Sequence, residues 1–212
     1  EKKYNGMIFL RDSCNSTGLL DMGVTPEYLP GYVKLSEKDE IEKIRNIWGR
    51  NLNTIFRKNN IEEKIKQGLI KAVLIFGEDP LADVNNRKYF SEVEFLLASD
   101  SFITNTILEA DVVFPALTFI EQDGSYTRCD HTVQDARKII QPKSEYANWE
   151  LIRKLAACFS KGFNQRSLKE VFDEIRNVNR YYKEIESDKS WLKNHSSVSY
   201  SEQKFSFSNY DS

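Results

Sequence analysis

Two aspartates stand where a ligand can be read by its hydrogen-bonding edge. Asp79 follows the apolar run 70–76 within the turn Gly77-Glu78-Asp79-Pro80, and Asp100 follows the run 93–98, directly after Ser99. A carboxylate accepts two hydrogen bonds side by side. It therefore suits a group presenting paired N–H donors, such as the N1–H and amino edge of guanine. Gly77 lets backbone and ligand approach closely, and Pro80 stiffens the turn. Aspartates at strand ends also cap helices and satisfy free backbone N–H groups, so spacing alone leaves both roles open.

The elements that must position these acids are short. The runs 70–76, 93–98 and 112–114 are rich in β-formers and alternate with segments 86–91 and 104–109 that fit one or two helical turns. This is the rhythm of parallel α/β units, in which ligands bind at the carboxyl ends of the strands. The fold class expected is α/β: a Rossmann-like three-layer domain with a mostly parallel sheet, followed by C-terminal helices and a polar tail.

Around that core, residues 7–10 suggest a short strand, and 11–32, with Gly18, Gly23, Pro26, Pro30 and Gly31, predict an irregular loop. Ser36, with Asp39 three residues on and Ile41, Ile44, Ile47 and Trp48 at helical spacing, predicts an amphipathic helix ending near Gly49. Residues 61–67 form a second helix with Gly68 as its C-cap. Residues 122–125 read as the turn of a loose hairpin. Asn148 caps a helix over 149–161, and Ser167 caps another over 167–177, with Glu170 three residues into it. Past Arg180 the composition turns polar, and aromatics such as Tyr181 and Tyr182 are expected to dock on a neighbouring domain or partner. The division expected is 1–36 (strand and long loop), 37–160 (cofactor-binding α/β domain) and 161–212 (helix and extended tail).

Bulk properties exclude several classes. Hydrophobic and charged shares of 40% and 29%, with a net charge of −2, fit a globular protein and give no electrostatic argument for nucleic acid or an anionic membrane. No apolar run reaches the roughly 18 residues of a membrane span. Three scattered cysteines and two histidines, without a C-x-x-C pair, do not build a zinc or iron–sulfur site, and they fit a cytoplasmic setting. No phosphate-cradling G-x-G-x-x-G or P-loop is present. No nucleophile motif accompanies His131, so no catalytic residue is assigned. The first residue, Glu1, suggests a piece of something longer.

The pieces NSTGLLDMGVTPEYLPGY, IKAVLIFGEDPLAD, ASDSFITNTILEADVVFPA, EQDGSYTRCDHTVQ and NWELIRKLA occur in the order and spacing found in large subunits of molybdopterin-dependent oxidoreductases. The chain resembles formate dehydrogenases in particular, over residues 15–177. The resemblance implies a Rossmann-like domain holding the nucleotide end of a molybdopterin guanine dinucleotide, with molybdenum or tungsten carried by the parent protein. It implies that Gly77, Glu78, Asp79 and Pro80 form a loop against the cofactor and that Ser99 and Asp100 read its guanosine. Gln122 and Gly124 would approach the pterin dinucleotide, and Asn148 matches a position the family uses on the cofactor.

On this reading the segment supplies binding and orientation and is inactive alone. The metal ligand, any iron–sulfur cluster and a further β-rich domain lie elsewhere in the parent. Expected partners are the remaining domains of that subunit and iron–sulfur electron-transfer subunits. The sequence departs from the family pattern at Gln122 (often Lys), Arg128 (usually Asn), His131-Thr132 (commonly Arg-Arg) and Asn148 (usually Asp). Those departures favour the alternative, a cofactor-free structural domain like that of the large iron–sulfur subunit of NADH dehydrogenases.

Overall fold

A computed structural model describes residues 9–11, 13–25, 27–34, 36–49, 52, 61–159 and 163–185. The run 7–10 and the tail past 185 therefore lie mostly outside the described residues. At the centre is the expected parallel unit. Strands β3 (Ala72–Phe76), β4 (Phe95–Asp100) and β5 (Val112–Pro115) form a parallel sheet in the order β3-β4-β5, so that β4 lies in the middle. Helix α4 (Val84–Phe90) connects the first pair and α5 (Asn105–Glu109) the second. Ile75 pairs with Ala98, and Ser99 with Phe114.

That register puts Val73, Ile75 and Leu96 on one face, where they pack with Leu81, Phe90 and Ala110. The chain is an α/β protein, as its strand and helix pattern predicts. Asp111 fastens the start of β5 to β4, its Oδ2 accepting from Leu96 N at 2.8 Å while its own N–H donates to Leu96 O at 2.9 Å. Helix α3 (Ile61–Lys66) ends as predicted. Gly68 takes φ +65°, and the N–H groups of Gly68 and Leu69 return to the carbonyls of Ile65 and Lys64.

The first 36 residues correct the sequence reading. The predicted irregular loop holds helix α1 (Ser16–Asp21) and a short antiparallel pair, β1 (Tyr28–Leu29) with β2 (Val33–Lys34), joined by a tight turn at Pro30–Tyr32. Helix α2 (Lys38–Trp48) follows, ending in left-handed Gly49, but its N-cap is Glu37 and not Ser36. Leu29, Val33, Ile44, Leu52 and Val178 form a second core, against which Ile41 and Trp48 pack. Ile47, on the apolar stripe that the spacing marks out, is exposed. Val178 belongs to α7 (Leu168–Val178), whose Ser167 N-cap accepts from Glu170 N as predicted.

Two further elements differ from expectation. The hairpin β6 (Gly124–Thr127) with β7 (Val133–Ala136) turns at residues 128–132, not at 122–125. Its tip is held by the N–H of Arg128 donating to Thr132 O and that of Thr132 donating to Asp130 Oδ1, with His131 at φ +62°. Helix α6 (Asn148–Cys158) starts on Asn148, which is its first helical residue and does not cap it. Glu150 reaches back instead to accept from Ala147 N at 3.0 Å. Of the apolar side chains on and just past this helix, Leu151 is buried, while Ile152 and Phe159 are exposed.

Candidate functional site

The carboxyl ends of the three parallel strands form a continuous rim. Gly77 leaves β3 with φ +67° and open space around a notional Cβ, so its left-handed backbone, and not crowding, calls for glycine. Its N–H donates to Ser99 O at 2.8 Å, tying the exit of β3 to that of β4. Ser99 is buried. Asp100 O accepts from Ala116 N at 2.9 Å, which ties β4 to the segment leaving β5.

Asp100 keeps a carboxylate face outward. Its Oδ1 accepts from Phe102 N at 3.0 Å, which fixes the side chain, and Oδ2 accepts no hydrogen bond among the described residues. An oxygen bonded once retains a lone pair, so both oxygens remain available to a two-donor edge. The bond to Phe102 N thus leaves the carboxylate able to accept further hydrogen bonds.

Asp79 is different. Its Oδ1 accepts from Thr106 N at 2.8 Å and from Thr106 Oγ1 at 2.6 Å, and its Oδ2 accepts from Asn105 N at 3.3 Å. The Thr106 hydroxyl, followed by the two backbone N–H groups, holds this carboxyl below the usual aspartate range. The fully buried Thr106 hydroxyl also accepts from Leu81 N at 3.2 Å. Asp79 thus joins the loop after β3 to the start of α5, and Pro80 opens the turn Pro80–Ala82 beneath it. Glu78 is exposed on the same loop. Thr106, the hub of this knot, was missed because a threonine inside a short helix carries no distinctive sequence signal.

The rim continues into a cleft of about 250 Å³ lined by Asn15, Gln122, Gly124, Tyr126, Asn148 and Trp149 among others. Three of the sequence-assigned residues meet here. Asn148 Oδ1 accepts from Leu117 N at 3.1 Å, and its Nδ2 donates to Leu117 O at 3.5 Å; Gln122 Nε2 donates to the same carbonyl at 3.1 Å. Leu117 follows Ala116, the residue bonded to Asp100 O, so Asp100 and the cleft are joined by one backbone segment. The side chain of Asn148 is engaged with that backbone, a task that needs a donor and an acceptor together and that an aspartate would do only by half. Asn15 Oδ1 accepts from Thr127 N at 2.8 Å and brings the N-terminal region to the wall of the cleft.

Behind that wall lies a buried polar network that sequence reasoning did not anticipate. Asp21, fully buried, accepts from Tyr32 Oη at 2.8 Å and Tyr182 Oη at 2.9 Å, and its carbonyl accepts from Asn179 Nδ2 at 2.7 Å. Burial and then the Asp21 carboxylate push the Tyr32 hydroxyl pKa strongly upward, so this phenol remains a donor. Tyr182 also bonds Thr127 Oγ1 at 2.5 Å. Tyr182 was expected in a tail; it is a core residue. His131 Nδ1 lies 3.7 Å from Asp21 Oδ1, so the position where the family commonly has arginine faces the protein interior.

Among the described residues no lysine or arginine lines the cleft, whose charged member is Asp123. The rim thus presents a carboxylate and the cleft side-chain amides, without a cation among the described residues. Among the described residues no group of acidic, histidine or cysteine side chains is arranged to hold a metal, and no helix is long and apolar enough to cross a membrane.

The model of the molybdopterin oxidoreductase family matches residues 2–158. The F420-dependent formate dehydrogenase subunit alpha of Methanocaldococcus jannaschii is 34% identical over 194 residues, covering 87% of this chain and 28% of that protein. Its counterpart in Methanococcus maripaludis, formate dehydrogenase 2 subunit alpha, is 36% identical over 178 residues, covering 80% and 26%. Formate dehydrogenase H of Escherichia coli is 29% identical over 185 residues, covering 84% and 26%. The chain thus spans about a quarter of the length of these relatives. An α/β unit with an acid at the exit of its middle strand, matched along most of its length by that family model, belongs to the molybdopterin oxidoreductase family.

Proposed function

We propose that this chain is the segment of a formate dehydrogenase-like molybdopterin oxidoreductase that holds the guanosine end of a molybdopterin guanine dinucleotide. The observation that carries the reading is Asp100, fixed at the carboxyl end of the middle strand by Phe102 N with its second oxygen unengaged among the described residues. Ser99 and Gly77 set the strand exits around it, Glu78 to Pro80 form the neighbouring loop, and Gln122, Gly124 and Asn148 line the adjoining cleft. When bound, the cofactor supplies two-electron chemistry at molybdenum or tungsten. This segment binds and orients, and is inactive alone. In a cytoplasmic parent it contacts the remaining domains of the subunit, and the assembly passes electrons to iron–sulfur subunits.

Asp100→Ala in the full-length parent tests the assignment. A bidentate carboxylate–base contact contributes on the order of 1–3 kcal/mol. Guanine dinucleotide recovered with the purified variant should fall about tenfold or more while its circular dichroism is unchanged. Undiminished retention would remove Asp100 from the site.

The second reading, a cofactor-free structural domain, is favoured by one observation: the cleft has no cation among the described residues and contains Asp123. Absence of molybdenum, tungsten and pterin from the natively expressed parent would decide for it.

A further inference from the structure

Directly after Asp100 the chain presents two large apolar side chains to solvent, Phe102 at 74% and Ile103 at 81% exposure. The backbone that carries them is held in place. Phe102 N is bound to Asp100 Oδ1, Ser101 Oγ donates to Ala116 O at 3.2 Å, and Thr104 caps α5 by accepting from Ile107 N at 3.2 Å. The tripeptide 101–103 is therefore pinned on both sides, and its apolar groups lie exposed beside a carboxylate.

A purine matches that juxtaposition. Its edge offers hydrogen bonds to a carboxylate and its face needs an apolar or aromatic surface, whereas a purely apolar occupant would leave the Asp100 carboxylate desolvated without a donor. We infer that Phe102 is the stacking platform for the base whose edge Asp100 reads, with Ile103 extending the apolar surface. This rests on the guanosine-binding reading and adds to it a division of labour. Asp100 discriminates between bases, and Phe102 supplies affinity that is indifferent to which purine is bound. Because the loop is already fixed, little ordering cost opposes binding.

Calorimetric titration of the cofactor-free full-length parent with GMP, IMP and AMP separates the two contributions. IMP keeps N1–H but lacks the 2-amino group, so the unaltered parent should prefer GMP over IMP by about tenfold, within the range for one lost base contact. Phe102→Ala should weaken GMP and IMP alike by about tenfold, the loss of one stacking partner, and leave their ratio unchanged. Phe102→Trp should restore affinity, and its indole fluorescence should be quenched over the same GMP concentrations. If the unaltered parent shows no preference for GMP over IMP and AMP, the guanosine reading fails and this inference with it. If the preference is present but Phe102→Ala binds GMP unchanged, or the Trp variant is not quenched, the stacking role is overturned while Asp100 keeps its assignment. Phe102 would then be a surface that polypeptide covers.

Discussion

The parallel-sheet unit and the cluster built from the two ends of the chain solve the same problem by opposite means. In the sheet, polar residues close loops between neighbours: Asp79 reaches Thr106, Asp111 reaches Leu96 and Asp100 reaches Phe102. In the terminal cluster a fully buried aspartate is satisfied by residues at the far end of the sequence, Asn179 and Tyr182. Local knots are cheap to close and tolerate the loss of one strand of the knot. A buried carboxylate has less reserve, because loss of its oxygens leaves buried hydroxyl donors that water cannot reach.

The comparison predicts unequal fragility. Asp21→Ala should be the most damaging change. It leaves the Tyr32 and Tyr182 hydroxyls without their acceptor and opens a void, so urea unfolding should show a loss of about 3 kcal/mol or more. A cost below about 1 kcal/mol would mean that the network contributes little. Gly23→Ala comes next. Gly23 has φ +73°, and a Cβ there would meet Pro30 N at 2.6 Å and Leu29 C at 2.7 Å, both backbone atoms that cannot step aside. A loss of about 2–4 kcal/mol is expected, against about 1 kcal/mol for Gly77→Ala in the sheet unit, where only the left-handed backbone resists. Equal costs at the two glycines would contradict the packing described.

Thr106→Val probes the local knot. The isosteric swap removes the hydroxyl shared by Asp79 and Leu81 N, and about 1–2 kcal/mol should be lost. Thr106→Ser, which keeps the hydroxyl, should recover most of it.

The smallest effect is in pH. Hydrogen bonds from the Thr106 hydroxyl and from backbone hold Asp79 below its usual value, and those from Thr118 do the same for Glu121. Folding therefore favours the ionised forms. Their contribution is in place above about pH 4, the unfolded range for carboxylates, and is lost as pH falls through the lower folded values. Asp79→Asn should flatten the stability profile below pH 4 and leave it unchanged near neutrality apart from a constant offset. An unaltered acid limb would show that Asp79 is not held in its charged form.

The same contrast explains what was legible in the sequence. The three runs of the sheet, the Gly68 cap and the Ser167 cap involve partners within a few residues or an adjacent strand, so pattern and cap chemistry locate them. The N-terminal region was read as irregular because its glycines and prolines signal turns. What those turns shape, an antiparallel pair on a buried aspartate, depends on a helix and tyrosine some 160 residues away. The hairpin was misplaced for a related reason. Gln122-Asp123-Gly124-Ser125 is good turn chemistry, but Gln122 is held on Leu117 and the chain reverses at Arg128–Thr132 instead. Of the candidate site, the ordered motifs single out Asp100, which stands at the exit of the middle strand, Gln122, Gly124 and Asn148, which line one cleft, and Asp79, whose two carboxylate oxygens accept from the start of α5.

The grip of Asn148 and Gln122 on Leu117 also has a mechanical side. The peptide group of Leu117 acts as a coupling pin. It sits one residue beyond Ala116, whose N–H is bonded to Asp100 O, so α6 and the exit of the middle strand are joined through two hydrogen bonds and one peptide link.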